Sequence, residues 1–148
     1  MTTSQDRITP PSTVVGSFSG FLLSSISGVA TTGVLLGTRQ EIADALRASG
    51  TALTDEQLQT AATTTQVVVA GFALLIALVE LWLAFKLRAG RNWARIALTV
   101  LTLLQVVSLA SGHANFAAYA GAAVAVAAVV LSYLPASNAY FAAVKRAG

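Results

Sequence analysis

Cysteine is absent from this chain, histidine occurs once, and charge is scarce: nine basic and six acidic side chains make up 10% of 148 residues. Without cysteine there is no disulfide, no thiolate metal site and no cysteine nucleophile. The lone His113 supplies neither the two axial ligands of a bis-histidine haem nor the histidine cluster of a zinc site. A serine nucleophile would need His113 as its base, and no acid stands near it in sequence. HExxH, P-loop and GxSxG motifs are all missing. The inventory predicts a non-enzymatic protein with no cofactor, no metal and no catalytic residues. The shortage of charge bears on the class of protein, since soluble domains carry about 25% charged residues. With 55% hydrophobic residues and apolar runs of roughly twenty, the chain reads as an integral membrane protein. Disorder is excluded by the same hydrophobicity.

Four apolar stretches are present, at about 13–36, 65–85, 93–110 and 116–134. Each is about long enough to cross a ~30 Å hydrocarbon core, and lipid demands a helix because it offers backbone groups no partner. The predicted fold is all-α, a four-helix bundle in the membrane. Residues 1–12 and 135–148 form its tails, and 37–64 form a segment outside the core. Arg7, Lys86, Arg88, Arg91, Arg95, Lys145 and Arg146 fall on one side. Only Arg39 and Arg47 fall on the other, among Glu41, Asp44, Asp55 and Glu56. The positive-inside rule then puts both termini in the cytoplasm of a plasma (inner) membrane. Trp82, Trp93, Tyr140 and Phe141, with Lys86, Arg88 and Arg91, are expected to anchor that face among anionic headgroups. Basic residues strung along a membrane surface argue against nucleic acid. Ser27-Gly28-Val29-Ala30 could pass for a signal-peptide cleavage site. However, Arg7 is a weak n-region and the apolar core is diluted by serine and glycine, which favours a retained span.

The segment at 37–64 carries two helix-start signals. Thr38-Arg39-Gln40-Glu41 fits a capping box, followed by Ile42, Ala45 and Leu46 at helical spacing and a terminating Gly50. Thr54-Asp55-Glu56-Gln57 fits a second, opening a helix that continues into the second span. This predicts a short extracytoplasmic helical hairpin, either a docking surface or a cap over the bundle's outer end.

Span one is rich in small residues. Gly16, Gly20, Ser24 and Gly28 recur every four positions, a row that lets helix backbones approach closely, within the chain or against a partner. Ala118, Ala122 and Ala125 form a comparable row in span four. Glu80 is the only acid inside a span, and an intramembrane ionisable residue is a functional hypothesis by default. A turn centred near 87–89 puts it level with Arg95, which predicts an intramembrane Glu80–Arg95 ion pair fixing the register of spans two and three. The sharper reading makes Glu80 a proton- or cation-coupling carboxylate.

The stretch 81–96, with Gly90-Arg91-Asn92-Trp93-Ala94-Arg95 at its centre, resembles the inner hairpin of small four-span membrane proteins common in actinobacteria. Leu134-Pro135-Ala136-Ser137-Asn138-Ala139-Tyr140-Phe141 resembles their C-terminal end. The resemblance implies an actinobacterial plasma membrane and the same topology, and it implies no catalytic residues. Small proteins of this general kind occur as accessory subunits of large membrane assemblies, respiratory ones included, which is analogy at the level of fold. The expected function is therefore an accessory or interaction subunit, in a larger complex or in self-association. The alternative is a small proton-coupled transporter using Glu80. Small multidrug exporters are also four-span chains, but their essential glutamate lies in the first span, where this sequence has no acid.

Overall fold

A computed structural model describes residues 8–50, 52–110 and 116–147. Arg7 and His113 lie outside the described residues. The described residues form helices and no strands, with α1 at Ser12–Leu35, α2 at Arg39–Ala48, α3 at Asp55–Arg88, α4 at Asn92–Leu109, α5 at Phe116–Ser132 and α6 at Pro135–Ala147. Three of these, α1, α3 and α4, are long and apolar enough to cross a membrane. The 17-residue α5 joins them only if it is taken together with α6, from which it bends by 62°. Pro135 makes that bend: it lacks the N–H that α5 would need to continue, and its fixed φ suits the first turn of a new helix.

The ends of α1, α4 and α5 fall within two residues of the apolar runs, whereas α3 extends beyond its run at both ends and 135–147, read as a tail, is helical. Thr54 caps α3 with a complete capping box: Gln57 N–H donates to Thr54 Oγ1 at 3.3 Å, and Thr54 N–H donates to Gln57 Oε1 at 3.0 Å. From there α3 runs unbroken for 34 residues, about 51 Å. Gly50 closes α2 with a φ of +74°, a conformation that costs L side chains strain. The Thr38 box does not form. Thr38 has φ −95° and ψ 21°, outside the extended region a capping side chain needs, and makes no side-chain cap bond.

The helices meet as α1 on α3 and α5, α4 on α3 and α5, and α2 on the first turns of α3. Ala43 of α2 is buried, as are Leu58 and Ala62 of α3. Arg47 adds a bridge between the two helices, 2.8 Å from Asp55, and a second contact to Asp44 at 2.9 Å. The Asp55 hydrogen bond, then its charge, holds the Arg47 guanidinium above its ordinary pKa.

Small residues build the α1–α5 seam. Ser17 Oγ donates to Ala128 O at 2.7 Å and Ser27 Oγ to Ala117 O at 3.1 Å, while Gly20 lies against Ala128. Where lipid removes the hydrophobic drive, close approach and interhelical hydrogen bonds hold helices together, at about 0.6 kcal/mol per bond. Large apolar side chains face outward instead: Phe72, Leu103 and Val107 are each 62% exposed. The exception is one end of the molecule, where Phe21, Leu83, Leu87, Leu98, Tyr140 and Phe141 pack into a common core. Lys86, Arg88, Arg91, Arg95, Lys145 and Arg146 belong to the same end, called the basic end below.

The predicted four-residue row on α1 splits. A Cβ on Gly20 would stand 2.8 Å from Ala128 Cβ, and one on Gly16 would stand 3.3 Å from Leu131 Cδ1, so both glycines are consumed by α5. A Cβ on Gly28 would meet nothing within 4 Å. The cause is geometric: at about 100° per residue, each step of four drifts about 40° around the helix. The seam follows Ser17, Gly20 and Ser27 instead, at steps of three and seven that hold to one face.

Candidate functional site

Glu80 lies on the inward stripe of α3, in step with the buried Ala62, Gln66, Ala77, Ala84 and Leu87. It is half-buried, about 12 Å along the helix from Arg88. Its carboxylate faces the hydroxyls of Ser24 and Ser25 on α1. Ser25 Oγ donates to Phe21 O at 2.9 Å, one turn back on its own helix. Ser24 is only 2% exposed, with its Oγ turned toward that carboxylate.

The expected Glu80–Arg95 ion pair is not formed. Arg95 Nη1 donates to Asn138 Oδ1 at 2.6 Å and to Ser132 O at 3.1 Å. Its guanidinium lies 4.2 Å from the Tyr133 ring centroid and 5.0 Å from that of Phe141. Asn138 is fixed in turn by donating to Tyr133 O at 2.9 Å. Thr99 Oγ1 donates to Arg95 O at 2.8 Å and lies 3.2 Å from Tyr133 Oη. The two are not level: Glu80 stands about 12 Å back from the end of α3, whereas Arg95 stands only about 4.5 Å into α4. Arg95 sits on the side of α4 that meets the α5–α6 corner, and there it is planar, stacked and hydrogen-bonded, which suits a guanidinium. The two segments that carry the resemblance, 90–95 and 134–141, are thus interlocked through one side chain.

The remaining predicted anchors divide into two groups. Trp82 and Trp93 are half exposed, with ring centroids 5.6 Å apart and Lys86 Nζ 5.4 Å from the Trp82 ring. Arg88 stacks on Phe18 at 5.2 Å, and Arg91 stands exposed at the N-cap of α4. Tyr140 and Phe141, expected at the lipid surface, are instead 7% and 5% exposed. Tyr140 Oη donates to Arg88 O at 2.9 Å, and Ser137 Oγ lies within hydrogen-bond distance of Thr13 Oγ1 and Leu131 O, both at 2.8 Å. These bonds, with Val144 packed against the same core, fasten α6 to the other helices.

Two concavities mark the outer surface. A groove of about 570 Å³ runs between α1 and α3, walled by Leu22, Ile26, Val29 and Leu81 over the small side chains of Ser25 and Ala77. A shallower dent of about 260 Å³ surrounds Gly71. Among the described residues, no three histidine, cysteine, aspartate or glutamate side chains gather to hold a metal ion. Comparison with protein-family models, curated proteins and solved structures finds no match for this chain.

Proposed function

We propose that this chain is a non-enzymatic, four-span protein of the inner membrane that seats against a larger membrane assembly, or against further copies of itself, as an accessory or interaction subunit. In this reading α1, the lower part of α3, α4 and α5 form a four-helix bundle. Both termini lie in the cytoplasm, as the seven cations on that side favour. The first turns of α3 and the whole of α2 form an outer helical hairpin, and anionic headgroups surround the basic end.

The observation that carries this reading is the α1–α3 groove. Its floor of Ser25 and Ala77 lets a partner helix approach closely, and its apolar walls supply dispersion contact once lipid is displaced. The resemblance to small actinobacterial membrane proteins points the same way, with respiratory assemblies one class of partner. The test is extraction of a tagged chain in a gentle detergent, then a native gel and mass spectrometry of what accompanies it. Near-stoichiometric comigration with a large complex supports the reading and names the process. A lone monomer overturns it.

A second reading rests on Glu80, which is turned inward and, among the described residues, forms no salt bridge. As the coupling group of a small proton-coupled transporter, it would bind and release a proton in each cycle. Glu80→Gln then abolishes proton-driven flux in proteoliposomes, whereas under the first reading it leaves partner association intact.

A further inference from the structure

We propose that the α1–α3 groove seats one acyl chain of an anionic phospholipid whose phosphate is held by Arg88. The site rests on the first reading only for its orientation, with the basic end at the headgroups. The lipid occupies the free chain and is what a partner helix displaces, so a chain without a partner still holds it.

Geometry runs without a break from the cation to the inner end of the groove. Leu78, Leu81, Phe85 and Arg88 recur at steps of three and four, which makes one stripe of α3. The Phe85 ring, part of the groove wall, lies 5.2 Å from the Phe18 ring of α1. The Arg88 guanidinium lies 5.2 Å from that same Phe18 ring. Arg88 therefore reaches across from α3 to α1 at the mouth of the groove. Beyond Phe85 the groove runs back to Ala77, about 12 Å along α3 and away from the basic end. A phospholipid has the same polarity, with its charge at the membrane surface and its chains directed inward. The volume of about 570 Å³ falls within the ~300–1,000 Å³ of ordinary ligand pockets.

The lining selects a hydrocarbon chain. Ser25 is the one polar side chain among the described residues that line the groove, and its hydroxyl already donates to Phe21 O at 2.9 Å. A polar ligand would leave its own groups unpaired there, whereas hydrocarbon loses nothing. Charge selects the headgroup. Lys86, Arg88, Arg91, Arg95, Lys145 and Arg146 gather at the basic end, and among the described residues no acid stands with them. Glu41, Asp44, Asp55 and Glu56 lie on α2 and the first turn of α3, and Glu80 stands about 12 Å back from Arg88. Among the described residues Arg88 forms no salt bridge, so its counter-charge comes from outside the chain. A phosphate suits a guanidinium because it accepts two parallel N–H bonds. An anionic headgroup improves the charge balance, whereas a zwitterionic one adds an ammonium to the six cations already there.

The test is native mass spectrometry of the full chain in detergent micelles with a trace of phosphatidylglycerol or phosphatidylcholine, both carrying oleoyl chains. Wild type is expected to retain one phosphatidylglycerol, about tenfold more tightly than phosphatidylcholine. Arg88→Gln loses that preference, whereas Arg88→Lys, which keeps the charge, and Lys145→Gln, which does not touch the groove lining, both keep it. Ala30→Phe puts a ring into the inner end of the groove and lowers retention of both lipids. Unchanged melting temperatures without lipid verify that the variants fold. Equal retention of the two lipids by wild type overturns the site, as does an Arg88→Gln variant no weaker than Lys145→Gln. Wild-type retention in Ala30→Phe puts the lipid elsewhere and overturns it too. So does a lipid-free dimer, which gives the groove to a second copy. Comigration with a large complex is read separately, so failure of the first reading and failure of this site are distinct.

Discussion

Val144 of α6 closes over Gly90 so tightly that a Cβ on residue 90 would stand 2.8 Å from both Val144 methyl carbons. The same glycine carries φ +78°. The α3–α4 turn and the final helix are therefore built around one missing side chain. Gly90→Ala meets both obstacles, and the left-handed backbone alone costs about 1–2 kcal/mol. The expected outcome is a lower melting temperature in detergent. Val144→Ala restores it in part, because it removes the contact but not the backbone strain.

The glycines of α1 should behave unequally. Gly20→Ala forces a methyl against Ala128 and should destabilise by about 1–3 kcal/mol, with Ala128→Gly as a compensating change. Gly28→Ala meets no neighbour and should be neutral or gain up to about 1 kcal/mol from helix propensity. Reversible unfolding in mixed micelles distinguishes the two.

Because Arg95 is held by Asn138 rather than Glu80, double-mutant cycles should separate the two pairings. Glu80→Gln with Arg95→Gln should be additive within about 0.5 kcal/mol, whereas Arg95→Lys with Asn138→Ala should couple by about 0.5–3 kcal/mol. A large Glu80–Arg95 coupling would restore the ion pair.

The cap at Thr54 gives a local prediction. Thr54→Ala should cost about 1 kcal/mol and raise amide hydrogen exchange in the first turn of α3. Exchange deep in α3, near Glu80, should stay as it is.

Much of the fold was legible because its signals are local. The capping box at Thr54, the stops at Gly50 and Gly90 and the lengths of the apolar runs all act within a few residues. The site was less legible because it depends on which way each helix is turned. Counting outward from a turn centred at 87–89 puts Glu80 level with Arg95, but the turn centres on Gly90, which leaves Arg95 about 7.5 Å nearer the basic end. The acceptor that captures Arg95 comes from Asn138, 43 residues on, after a bend at Pro135 that moves α6 back under α4 and α5. The α1 row failed for a related reason, since spacing by four is not a straight line on a helix. Tyr140 and Phe141 read as lipid anchors because aromatics near a span end commonly are. Only the 62° bend turns them inward.

The unbroken course of α3 has a mechanical consequence. A rod about 51 Å long that tilts by about 5° moves its far end by about 4 Å. The cap at Thr54 and the Arg47–Asp55 bridge grip one end of this rod, and Glu80 rides on it near the other. Anything that pulls on α2 acts at the end of a long arm, and the α1–α3 seam serves as its fulcrum. A load borne by α2 would thus be felt at the serine pair opposite Glu80 as a change in spacing.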